Sequence, residues 1–112
     1  MNRYLKVLKK IDKEMTAKGY KLVSVSDGDE ALSSLGNSKT ALYDWATQCD
    51  CGTMTYITTH DSANRCTFYL VYGNAIHETI ADAGWNTQKA YEDSEAVFEA
   101  IYKAYDPDYC CA

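Results

Sequence analysis

The sequence predicts an α+β domain: an antiparallel sheet of about four strands with helices packed mainly on one face, in the order α-β-α-β-β-β-α. Three observations carry that expectation. Segments of helical period open and close the chain. Runs of β-branched and aromatic residues, punctuated by turn residues, fill its middle. Finally, 112 residues with 46% apolar positions are enough for one core and too few for two ordinary ones. Residues 1–112 are therefore read as a single domain, with 106–112 as a flexible tail.

The first element follows from Tyr4, Leu8, Ile11 and Met15. Their spacings of four, three and four place them on one face at about 100° per residue, with Lys6, Lys9, Lys10 and Lys13 opposite. Gly19 is expected to stop this helix. Residues 20–26, YKLVSVS, read as a strand ending at the turn Asp27-Gly28-Asp29, and residues 30–38 read as a loop. A short helix over 39–48, capped from the loop Gly36-Asn37-Ser38, directs Leu42, Trp45 and Ala46 inward. From Cys51 to Gly73, two β-rich runs flank the polar stretch His60–Arg65, the strongest hairpin signal in the chain. Gly73-Asn74 turns the chain into HETIADA, read as a short returning strand with His77 and Glu78 on opposite faces. The last helix, over 92–105, is expected to start at Asp93 or Ser94, bury Val97, Phe98, Ile101 and Tyr105, and end at Pro107.

Charge divides sharply along the chain. Residues 1–21 hold seven bases against two acids, a local balance of +5, and residues 22–112 hold four bases against fourteen acids, a balance of −10. An acidic body repels phosphates and suits a basic protein surface, so no direct nucleic-acid binding is expected. The start MNRYLKVLKKIDKEM lacks the apolar core of a secretory signal, and no apolar run is long enough to span a membrane. The expected location is the cytoplasm.

Five cysteines, an odd number without an export signal, read as reduced thiols, with Cys66 in the core. Cys49-Asp50-Cys51 with His60, His77 or Cys110-Cys111 is the best metal candidate, but a lone C-x-C lacks the paired knuckles of structural zinc sites. His77-Glu78 lacks the second histidine of H-E-x-x-H, since Ala81 stands at that position, and Asp27–Glu30 departs from the EF-hand pattern. Two histidines, no G-x-S-x-G and no glycine-rich phosphate loop leave the requirements of a catalytic site unmet, so no metal, cofactor or catalytic residue is assigned.

Ten tyrosines are the more informative feature. A core of this size does not readily satisfy ten phenol hydroxyls, and exposed tyrosine supplies rigid contact area at low entropic cost. Glu92, Glu95 and Glu99 with Tyr56, Tyr69, Tyr91 and Tyr102 are the expected partner-binding residues. An exposed aromatic sheet face would also suit a homodimer.

The stretch LVYGN-x(3)-E-T-I-A-D, residues 70–82, preceded by GYKLVSV-x-DG at 19–28, resembles a loose group of small phage and bacterial accessory proteins. Members share an apolar strand ending in Gly-Asn and a following Glu-x-x-x-Asp strand; this chain has Ala75-Ile76 where proline often follows Gly-Asn. The resemblance implies a mobile-element protein acting in the host cytoplasm, where inhibition of host defence, of the anti-CRISPR or anti-restriction type, is a common occupation. The partner expected is a basic protein or nucleoprotein complex. Alternatives are an immunity protein or antitoxin that neutralises a basic nuclease, and a small zinc or thiol enzyme.

Overall fold

A computed structural model describes residues 3–58, 64–73 and 75–105. The α+β class holds, with one strand more than expected. Helix α1 (Leu5–Ala17) leads into β1 (Tyr20–Ser26) and β2 (Ala31–Ser33); α2 (Lys39–Ala46) precedes β3 (Cys51–Thr58) and β4 (Arg65–Val71). A 3-10 turn (Ile76–Glu78), β5 (Ile80–Trp85) and α3 (Gln88–Tyr105) complete the chain. The five strands form one sheet in the order β2-β1-β3-β4-β5, antiparallel throughout. Among the described residues no helix is long and apolar enough to cross a membrane.

Alternation decides which side of the sheet is covered. Tyr20, Leu22 and Val25 of β1, Met54 and Tyr56 of β3, Cys66, Phe68 and Leu70 of β4 and Ile80 of β5 point to one face. There they meet Val7, Leu8, Ile11 and Met15 of α1, Leu42, Tyr43 and Ala46 of α2, and Ala90, Val97 and Ile101 of α3. All three helices therefore share that face. The opposite face carries Ser24, Thr55 and Thr67 in one cross-strand row and Thr53, Tyr69 and Asp82 in the next. Polar outside and apolar inside is the pattern of an antiparallel sheet covered on one side.

The local devices are physical. Gly19 adopts φ +90° directly after α1, as a left-handed cap requires. Ser38 Oγ accepts the Ala41 N–H at 3.2 Å and starts α2. A Cβ on Gly52 would lie 2.7 Å from the Ser26 carbonyl oxygen and even nearer that of Ala46, so only glycine lets α2 approach β1 and β3 here.

Four expectations are corrected. Residues 31–33 form β2 instead of loop, because Asp27 Oδ1 accepts the Asp29 and Glu30 N–H groups at 2.9 and 2.8 Å and folds the chain back onto β1. His77 and Glu78 belong to a 3-10 turn (Ile76–Glu78) instead of strand, which sets His77 Nε2 3.8 Å from Glu78 Oε1. Helix α3 begins at Gln88, where Thr87 Oγ1 accepts the Ala90 N–H at 3.1 Å, so Asp93 and Ser94 lie inside it. Lastly, tyrosine hydroxyls are satisfied within the core. Asp12 accepts from Tyr56 at 3.0 Å, Tyr43 at 3.2 Å and Lys39 at 2.6 Å, tying α1 to α2 and β3. Asp93 accepts from Tyr20 and Lys89, each at 2.8 Å, tying α3 to β1. Tyr72 donates to the Ala46 carbonyl at 2.7 Å. His60 with the β3–β4 hairpin turn, Asn74, Pro107, Tyr109, Cys110, Cys111 and the tail lie outside the described residues.

Candidate functional site

The buried stripe of α3 is Ala90, Ser94, Val97 and Ile101. Beside it, within a band about 60° wide on the helical wheel, run Tyr91, Glu95, Phe98 and Tyr102. This second stripe faces β5, the last strand of the sheet, and the 3-10 turn before it. The helix and the sheet edge thus bound a groove.

Three adjoining concavities of 240 to 320 Å³ make up the groove, and Phe98 lines all of them. Phe98 is 44% exposed, Tyr102 36% and Trp85 48%, so three large apolar rings face solvent along one side of the molecule. The rings support one another: Phe98 stacks on Tyr102 at 6.3 Å between centroids, Trp85 tilts on Tyr91 at 4.7 Å, and His77 meets Tyr102 edge-on at 5.1 Å. His77 Nδ1 is buried there without a hydrogen bond.

Carboxylates rim these rings. Glu95 lies between Tyr91 and Phe98 and lines two of the concavities; it accepts a hydrogen bond from the Tyr91 hydroxyl, which raises the Tyr91 pKa. Glu99 pairs with Lys103 at 2.7 Å, and that bond, reinforced by the ammonium charge, lowers the Glu99 pKa. Both partners are largely exposed, so the pair is weak. Glu92 is exposed beyond the stripe, Glu78 flanks His77, and Asp82 lines the concavity that holds Glu95 and Phe98.

Five expected binding residues, Glu92, Glu95, Glu99, Tyr91 and Tyr102, thus share one helix surface. Tyr56 does not join them. It is fully buried, with its hydroxyl on Asp12, and the partner-binding expectation for it is corrected. Tyr69 is 46% exposed on the uncovered sheet face, directly across from Asp82 of β5. It reaches the groove only around the β5 edge, where Trp85 lines a further concavity with it. Phe98 and Trp85 add exposed apolar rings to this face that the sequence does not single out. Phe98 follows Val97, and both were assigned to the core; a step of about 100° leaves only one of them there.

The thiols offer less. Cys66 is buried and donates to the Ala90 carbonyl at 3.2 Å, and its burial pushes the thiol pKa up to about 11. Cys49 and Cys51 are at the surface. Partial desolvation and the carboxylates of Asp27, Asp29 and Asp50 raise the Cys49 pKa, the opposite of what activates a nucleophilic cysteine. Among the described residues, no three His, Cys, Asp or Glu side chains come together as a metal site.

No protein family, curated protein or solved structure matches this chain.

Proposed function

We propose that this chain is a non-enzymatic binding protein that covers a basic surface on a protein or nucleoprotein complex with its α3–β5 face. The observation that carries this reading is the coincidence of solvent-facing Trp85, Phe98 and Tyr102 with a rim of Glu92, Glu95 and Glu99. Rings of this kind anchor interfaces, and a rim of one sign selects the partner and speeds its approach. The resemblance to phage accessory proteins makes a host defence complex, of the anti-CRISPR or anti-restriction type, the target of this reading, with inhibition by occupancy in the host cytoplasm.

The test is capture from host lysate by the immobilised wild-type chain, compared with the triple variant Glu92→Lys, Glu95→Lys, Glu99→Lys. All three positions are exposed, so matched thermal unfolding verifies the fold of the variant. The reading expects a nucleic-acid-binding complex held by the wild type at low salt, released as salt rises, and reduced roughly tenfold or more on the variant. Equal retention by both proteins, or retention by neither, overturns it.

A further inference from the structure

The edge of β5 beside the groove has open pairing capacity. On one side β5 pairs with β4; among the described residues no strand pairs with the other. The opposite edge of the sheet is guarded by its brevity, because β2 is three residues long. The six residues of β5, IADAGW, include no lysine, arginine or proline; the guards it carries are the Asp82 carboxylate and a one-residue slip in its pairing with β4. Val71 N–H donates to the Thr79 carbonyl at 2.9 Å, and the register slips by one residue at Tyr69/Leu70. The alternation of an antiparallel ladder then turns the N–H and C=O of Ala83, opposite Phe68, away from β4. In agreement, the Ala83 N–H donates to Asp82 Oδ1 at 2.8 Å. A carboxylate thus occupies the donor that an added strand would use.

We propose that β5 is a strand-addition site: an extended segment of the partner, bearing Lys or Arg at alternate positions, pairs with its free edge and lays those side chains across Phe98 toward Glu95 and Glu99. This rests on the basic-surface reading above and specifies how the partner is held. Main-chain pairing supplies affinity and alternate side chains supply selectivity, as in other cases where a peptide extends a sheet. An added strand would run about 4.8 Å beyond β5, above the second stripe of α3.

Charge chooses the occupant. Asp82, Glu95 and Phe98 line one concavity, so a partner cation there draws the Asp82 carboxylate off the Ala83 N–H and frees that donor for a partner carbonyl. A second copy of this chain would bring another IADAGW, with no cation and a second Asp82, and like charges would face each other. The chain's own segment 106–112, DPDYCCA, is acidic as well.

The test is titration of the isotopically labelled chain, followed by amide spectra and amide exchange, with a short peptide alternating Lys and Val. Its controls are the Glu and Val counterpart and the Lys and Val peptide N-methylated at alternate backbone positions. Strand addition expects the basic peptide to shift and protect the Ala83 amide, the acidic peptide to do neither, and N-methylation to weaken binding roughly tenfold, the loss of one or two backbone hydrogen bonds. Binding of the N-methylated peptide with equal affinity, with shifts confined to α3, overturns strand addition and leaves the basic-surface reading standing. Absence of any shift at millimolar basic peptide also overturns strand addition, while the capture experiment judges the broader reading independently. Protection of Ala83 without peptide, in a sample that sediments as a dimer, replaces the proposed occupant with a second copy.

Discussion

A buried phenol requires an acceptor, and Asp12 supplies one to Tyr43 and Tyr56 at once. The arrangement was illegible in the sequence because Asp12 and Tyr56 stand 44 positions apart, and local pattern reports only which residues neighbours can reach. Composition correctly drew attention to ten tyrosines, yet it counted hydroxyls without locating carboxylates. Truncating Tyr56→Phe keeps the ring and removes one donor to a largely buried carboxylate. We expect a loss of about 2 kcal/mol in urea unfolding, the scale of a hydrogen bond to a charged group. An unchanged midpoint would show that Tyr43 and Lys39 satisfy Asp12 without it.

Elements with a strong period or strong turn chemistry were legible, and elements made by one side-chain contact were not. The period of α1, a capping loop at residues 36–38 before α2 and the β3–β4 pair follow from residues near one another in the chain. Strand β2 contains only Ala31, Leu32 and Ser33 and has too few residues to show a period; it exists because Asp27 closes the turn before it. The same compactness hid the first turn of α3, where Thr87 caps ahead of the acids expected to do so. Backbone N–H groups of Glu30 and Asp29, with the Gln48 amide, hold the Asp27 pKa below the usual carboxylate range. Because the folded value is the lower one, this contribution is complete above the unfolded carboxylate range and disappears as pH falls through the folded value. An Asp27→Asn variant should therefore melt earlier than wild type near neutrality and lose less on acidification from about pH 5 to about pH 3. Parallel acid profiles for the two proteins would exclude the role given to this carboxylate.

Over the whole molecule, burial disfavours ionisation of several acids that are neutral at physiological pH. It raises the pKa values of Tyr20, Tyr43, Tyr56 and Tyr72, aided in the first three by neighbouring carboxylates, and lifts Cys66 from 9.0 to about 11. A raised folded value means that the unfolded chain releases its protons first. The associated stability is fully present below pH 9.0 and falls as pH rises toward 11 and past it. Melting temperature should decline steeply over that alkaline range, and Cys66→Ala should flatten its first part; a melting temperature independent of pH there would contradict the packing of these residues. The α+β class and the one-sided helix layer were legible in the sequence, whereas the groove was not, since it depends on which apolar position of α3 the core leaves outside.

Helix α1 presents Lys6, Lys9 and Lys13 to solvent, and α3, packed against it, presents Glu92, Glu95 and Glu99. The two surfaces give the molecule a permanent electric dipole. Near a positively charged body, the resulting torque turns α3 forward before contact, so random tumbling becomes a guided approach.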